Sequence, residues 1–484
     1  MKNIIFIPLD SRPCNTAWIE QLAHEAGLKL LMYPRHLTGT LHKGANFNGM
    51  MSMIENNIKN CEYLIISSDG LASGGLVQGR LGLIDVNQRL SQLTILKEYK
   101  EIYPNLKIYV FDTLMRTSIT TYDNESSIYW TKVNDYSNLV GEYYYSLDID
   151  IAKKIEDLEK EIPERILKQY LKARDIKHRL NMFFLECVKD DIIDYLIILQ
   201  EDTSPIGIQK IEQEKIHSFI NNNKLSKKVK TYNGTDEGGL LLLGKVINQL
   251  ANIKPKIYVH LPYPNALERV MHFEDRPVIE NLTGMFDTIG FEFCSNAEDA
   301  DFILAIYTER ENKYLNLNRY KDIPPIKNKE YKLFIKTLNT YLKEGKRLAF
   351  VDLFFPNGGS LDILEDINYQ ELKVYSAWNT ASNSLGSALC EIAVLCANKN
   401  SDHNSFKNER ILDDCVYQYI VRRHINKEAL VLGYNIYDLG EKGVEITIKI
   451  IEAMAKYQYL VENKKFIIDL PWNRTFEIDI KMEE

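Results

Sequence analysis

Short apolar runs, separated by segments of helical length, constrain this chain more than any other feature. The first series is Ile4–Ile7, Leu28–Met32, Tyr63–Ile66, Lys107–Phe111, Asp194–Leu199 and Val229–Thr231. The second is Lys256–His260, a run near Phe291, Phe302–Ile306, Arg347–Asp352 and Leu372–Tyr375. Runs such as Tyr63-Leu-Ile-Ile66 are apolar on both faces, as strands buried in parallel sheets are. Strands alternating with helices predict an α/β fold: two lobes of mostly parallel sheet flanked by helices, with a helical C-terminal region. At 484 residues the chain exceeds one ordinary core, so two or three domains are expected. Their predicted bounds are 1–254, 255–400 and 401–484, with a Tyr-rich, charged insertion near 117–190 that carries a helical arm over about Ile149–Lys177. Residues Lys321–Lys329 read as a polar link. The tail Phe466–Ile480 alternates weakly and reads as an edge strand or arm.

In parallel sheets, ligands meet the loops at the carboxyl ends of the strands. Those loops are where this sequence is unusual. Tyr232-Asn-Gly-Thr-Asp-Glu-Gly-Gly leads from a strand into the apolar helical segment Leu240–Leu250. Asn233-Gly234 is a turn signal, and Thr235 or Asp236 can cap the helix. Asp236 and Glu237 are therefore either caps or working carboxylates. The stretch Ser67–Arg80 reads as a loop in which Gly70, Gly74, Gly75 and Gly79 accompany Asp69 and Arg80; it matches neither phosphate-binding glycine fingerprint. Asp10 and Arg12 follow the first strand, Arg116 the fourth, and Glu201 with Asp202 the fifth. Asp352, with Asn357 behind it, closes a later strand. Trp378, Asn379 and Asn383 follow the last; an exposed Trp beside amides suits a sugar ring, while a core Trp and a capping Asn are the structural alternative.

Other chemistries lack their signatures. The histidines have no metal-ligand spacing, no G-x-S-x-G elbow is present, and Cys14 has no evident base. The seven cysteines are odd in number and scattered, which disfavours a disulfide framework or zinc site. Spacing leaves open whether Asp oxygens bind Mg²⁺ or Ca²⁺; no metal ligand and no cofactor are assigned. A net charge of −8 argues against a nucleic-acid partner. No apolar run is long enough to span a membrane, and the chain enters a strand at once without a signal-peptide pattern, so a cytoplasmic location is expected.

Taken together, Pro8-Leu-Asp-Ser-Arg-Pro-Cys-Asn15, Asp69-Gly-Leu-Ala-Ser-Gly-Gly-Leu76 with Arg80, Thr113-Leu-Met-Arg116, Glu201-Asp-Thr-Ser-Pro-Ile-Gly207, Gly234-Thr-Asp-Glu237, Asp352 with Pro356-Asn-Gly-Gly359, and Trp378-Asn-Thr-Ala-Ser-Asn-Ser-Leu-Gly386 resemble a bacterial family catalogued as domain of unknown function 4127. Cys14 and Lys245 depart from the Val and Arg expected there. The resemblance implies a soluble bacterial protein in a carbohydrate context and no established reaction.

The expectation is a glycosidase-like hydrolase acting on a small-molecule substrate, a sugar, through two carboxylates. Glu237, Asp236, Asp202 and Asp69 are the catalytic candidates. Adjacent acids on a turn point apart, so the working pair combines one acid from each of two loops. Asp10, Arg12, Arg80, Arg116, Glu201, Asp352, Asn357, Trp378, Asn379 and Asn383 would bind substrate. The alternatives are a cytoplasmic sugar- or metabolite-binding protein without turnover, and a carboxylate-metal hydrolase or isomerase.

Overall fold

A computed structural model describes residues 3–121, 124–310, 325–398 and 404–483. The chain is α/β and forms two compact units, Met1–Leu242 with Phe273–Arg276, and Leu243–His272 with Pro277–Glu484. In the first, strands β1 (Asn3–Ile7), β2 (Lys29–Met32), β3 (Tyr63–Ser67), β4 (Lys107–Leu114), β5 (Tyr195–Gln200) and β6 (Val229–Asn233) form one sheet in the order β2-β1-β3-β4-β5-β6. Every pairing is parallel. All six carboxyl ends therefore lie on one edge. β5 is buried throughout, and only the first residue of β3 is partly exposed, because helices cover both faces.

The second unit has β7 (Lys256–His260), β8 (Glu292–Cys294), β9 (Phe302–Tyr307), β10 (Leu348–Asp352) and β11 (Val374–Ser376) in the order β11-β10-β9-β7-β8, again all parallel. Counted from its own first strand, this is the same order as the first five strands of unit 1. It is the doubly wound order 2-1-3-4-5, which places a topological switch point between the first and third strands. In unit 1 that point lies between β1 and β3. There the chain after β3 presses on the chain after β1 so closely that a Cβ at Gly70 would sit 2.0 Å from the Pro8 carbonyl oxygen.

Several sequence expectations change. The Ser67–Arg80 stretch is two short helices, Ser68–Ser73 and Leu76–Leu81, rather than a loop. Ser67 caps the first through the Gly70 N–H, and Gly74 (φ 88°) and Gly75 (φ 147°) break between them, a backbone that glycine adopts without strain. The insertion is helical in its Tyr-rich part as well, at Asn124–Ser146, followed by Ile149–Glu161 and Glu164–Lys189. The tail forms an antiparallel pair, β12 (Phe466–Asp469) and β13 (Asp479–Met482). Of the polar link, residues 321–324 lie outside the described residues.

Candidate functional site

Two glycines position the acid-bearing segment after β6. The helix Gly238–Ala251 begins against the sheet face, where a Cβ at Gly238 would come within 2.6 Å of Phe111 and one at Gly239 within 2.7 Å of Phe6. Only glycine permits this approach, and it carries Asp236 back to the loop after β1. Arg12 joins the two loops. Its Nε and Nη2 donate to Asp10 at 2.7–3.0 Å, and its Nη1 donates to Asp236 Oδ2 at 2.9 Å. Asn15 Nδ2 donates to Asp10 at 3.0 Å and to Asp236 at 3.3 Å. All four side chains are buried. Burial works to lower the Arg12 pKa, but Asp10 and Asp236 outweigh it and hold the guanidinium well above its ordinary value.

The second cluster sits at the ends of β3, β4 and β5. Asp112 accepts from Lys177 Nζ at 2.9 Å, Asn181 Nδ2 at 2.6 Å, its neighbour's Thr113 N–H at 2.9 Å, and Ser68 Oγ. Lys177 Nζ also donates to Asp69 at 2.6 Å. The Thr113 hydroxyl lies 2.6 Å from Asp69 Oδ2 and 3.3 Å from Glu201 Oε1. Glu201 is paired in turn with Arg80, whose Nε donates at 2.7 Å, and Arg116 pairs with Asp202. Asp69 and Glu201 are 1% and 2% exposed, whereas the side chains of Arg80, Arg116 and Asp202 reach solvent at 13%, 15% and 33%. Asp69 and Glu201 thus lie deepest, with Arg80, Arg116 and Asp202 nearer to solvent. Burial pushes the Asp69 pKa up; Lys177 opposes it and Asp112 adds to it. Lys177 itself is lowered by burial but raised overall by Asp112 and Asp69.

The long helix Glu164–Lys189 supplies what the sequence reading missed. Tyr170, Arg174, Lys177 and Asn181 recur at i, i+4, i+7 and i+11, so they share one face. That face points at the carboxyl edge: Tyr170 donates to Thr117 O at 2.6 Å, and Arg174 donates to Arg116 O at 2.7 Å and to Glu212 at 3.0 Å. The available signal was polar residues at helical spacing among Ala173, Ile176, Leu180 and Phe184, which marks a buried polar stripe.

Asp236 and Glu237 do point apart. Glu237 folds under its own loop and accepts the Thr235 N–H at 2.9 Å, and a Cβ at Gly234 would overlap its Oε1. Fully buried, it is pushed up to about 8, partly opposed by backbone N–H groups of Thr235 and Glu237. Between an unfolded value of about 4.3 and this folded value, the native state holds the extra proton, so stability falls as pH rises toward and through 8. Glu237→Gln mimics the neutral acid. Its melting temperature relative to wild type is expected to climb by about 10 °C between pH 5 and pH 9, from at most roughly 4–5 kcal/mol of linkage. A difference that stays flat in thermal melts across this range would contradict the neutral buried acid.

The remaining expected residues belong to unit 2. Asp352 is buried and accepts the N–H groups of Phe354 and Ser360 at 2.9 and 2.7 Å; burial pushes it up to about 7. Asn357 (φ 57°) donates its N–H to the carbonyl of Asn379 (φ 53°) at 2.7 Å. Trp378 is not an exposed platform: it is 9% exposed, and its Nε1 donates to Ser387 Oγ at 2.9 Å. Asn383 lies in the first turn of the helix Ala381–Ala397, where the Thr380 hydroxyl accepts its N–H. These residues secure loops and a helix start. Among the described residues no group of three or more His, Cys, Asp or Glu side chains is arranged to hold a metal ion, and no helix is long and apolar enough to cross a membrane.

Comparison with known families gives one match over residues 4–481, to the model described as "Protein of unknown function (DUF4127)". No curated protein matches the chain. Among solved structures it aligns with "Structure of Cobalamin-dependent S-adenosylmethionine radical enzyme OxsB with aqua-cobalamin bound" at 12% identity, over 90% of this chain and 62% of that one, with a TM-score of 0.17. A likeness that low carries no argument.

Proposed function

We propose that this chain, which belongs to the DUF4127 family of proteins of unknown function, is a hydrolase that cleaves glycosidic bonds with Asp69 as general acid and Glu201 as its carboxylate partner. The observation that carries the reading is the Thr113 hydroxyl between them, at 2.6 and 3.3 Å. It keeps the two carboxyl oxygens within roughly 6 Å, near the ~5–5.5 Å of retaining glycosidases. Their surroundings differ as an acid and a nucleophile require. Burial, with Asp112 and against Lys177, raises the Asp69 pKa, while Glu201 is ion-paired with Arg80. In this reading Asp69 protonates the departing oxygen, Glu201 attacks the anomeric carbon, and water then releases the sugar. Arg80 and Arg116, nearer to solvent, meet the substrate hydroxyls. Asp10, Arg12, Asp236 and Glu237 hold the flanking loops.

The test is a panel of aryl glycosides and disaccharides followed by NMR. Asp69→Asn is expected to lower kcat by about 10²–10⁴-fold on substrates whose leaving group needs protonation. Full activity in this variant and in Glu201→Gln would remove the pair. The second reading, a sugar- or metabolite-binding protein without turnover, is favoured by one observation: each acid of this cluster already has a cation, Asp69 and Asp112 with Lys177, Glu201 with Arg80 and Asp202 with Arg116. Calorimetric binding without product would decide for it.

A further inference from the structure

Unit 2 carries a groove of about 530 Å³ along the helix Lys329–Lys343, lined by Lys327, Lys332, Lys336, Lys343, Asn339 and Asp366, among others. Lys332, Lys336 and Lys343 recur at i, i+4 and i+11, on one helix face. Lys327 pairs with Asp366 at 2.6 Å, and that carboxylate also accepts from Tyr331 Oη at 2.6 Å. Asp366, the one acid among the described lining residues, is therefore neutralised. Lys332, Lys336 and Lys343 make no ion pair with any described residue. The nearest acid on the same helix, Glu330, is engaged by Arg310. Three unneutralised ammonium groups on one face repel one another, and in a chain of net charge −8 they stand against the overall balance. In unit 1, by contrast, some exposed lysines follow an acid by three or four residues and pair with it, as in Lys153–Asp150, Lys160–Asp157 and Lys168–Glu164.

We propose that this groove binds a small ligand carrying several phosphate groups. Lysine ammonium groups are compact point charges suited to phosphate oxygens. By helical rise, Lys332 and Lys336 are about 6 Å apart along the axis, and Lys336 and Lys343 about 10 Å. The three charges thus extend over about 16 Å, more than one phosphate fills and within reach of a linear phosphate chain. The groove volume is that of a small-molecule site. Asn339 fixes its wall, donating to Asp366 O at 3.0 Å and accepting the Asn368 N–H at 2.8 Å.

The experiment is calorimetry of the full chain with sodium tripolyphosphate at 50 and 200 mM NaCl, beside inorganic phosphate and a single-stranded oligothymidine. Wild type is expected to bind tripolyphosphate more tightly than phosphate, with affinity falling several-fold at the higher salt. The triple variant Lys332→Gln, Lys336→Gln, Lys343→Gln is expected to lose at least tenfold, whereas Lys153→Gln with Lys168→Gln keeps wild-type binding. Because the substituted lysines are exposed, the melting temperature should hold; should the triple variant fail to fold, Lys336→Gln alone is expected to lose about threefold. No binding by wild type at 50 mM NaCl, or equal binding by the lysine variants, overturns the proposal. Tighter binding of the oligonucleotide than of tripolyphosphate overturns the assignment to a small ligand.

Discussion

Replacing Lys177 by methionine is expected to lower the melting temperature by roughly 10 °C near neutral pH. Lys177 is the shared cation of Asp69 and Asp112, donating at 2.6 and 2.9 Å from a side chain only 4% exposed. Methionine matches its length without its charge, so the buried Asp112 carboxylate loses its cation and Asp69 loses a donor. Removing one side of a buried ion pair costs about 3–5 kcal/mol, because the remaining charge cannot return to water. At roughly 2–4 °C per kcal/mol for a unit of this size, that gives the expected drop. The deficit should shrink in acid, where the stranded carboxylate takes up a proton, and Asp112→Asn added to Lys177→Met should recover part of it. Thermal melts of the single and double variants at pH 5 and pH 7.5 check both points. A single variant within about 2 °C of wild type at pH 7.5 would show that the network does not hold this edge.

The second large effect is expected at Arg12. Its guanidinium bonds both Asp10 and Asp236, the latter 224 residues further along the chain, and Asn15 is the uncharged second link between them. Arg12→Met leaves two buried carboxylates facing each other with Asn15 between them, at a cost again of about 3–5 kcal/mol. Arg12→Lys is informative because it keeps the charge. A single ammonium lacks the rigid fork that reaches both acids at once, so it is expected to recover less than half of the loss. Full rescue by lysine in chemical denaturation would mean that charge alone matters and the bidentate geometry does not.

Much of the framework was legible because strand burial writes itself into sequence. Runs such as Tyr63–Ile66 and Leu196–Leu199 must be apolar on both faces, and their alternation with helices left few topologies. The Ser67–Arg80 stretch was misread for a physical reason. Its glycines argue for a loop by propensity, yet each short helix there is packed among buried residues, and tertiary burial overrides a preference of under about 1 kcal/mol per residue. For Trp378 the flanking amides left an exposed sugar platform and a core side chain both open; its indole N–H is satisfied by Ser387 inside unit 2, which is the core alternative. Asp69, Arg80 and Glu201 were named singly from their loops, but not that Thr113 stands between the two acids. Lys177 and Asn181 were lost in an insertion read only as charged, with a helical arm ending near Lys177, since sequence records charge without recording which face is covered. The Asp236–Arg12 link could not be foreseen either; an Asp before an apolar helix looks like a cap until the glycines behind it carry it to another loop.

Mass spectrometry after incubation with 2,4-dinitrophenyl 2-deoxy-2-fluoro glycosides of glucose, galactose, mannose and xylose tests the pairing of Asp69 with Glu201 most directly. A retaining hydrolase with the separation set by Thr113 should accumulate one fluoroglycosyl group on the peptide containing Glu201, and Glu201→Gln should remain unlabelled. Labelling of a different carboxylate, or no labelling with any of the four sugars, would contradict the assignment.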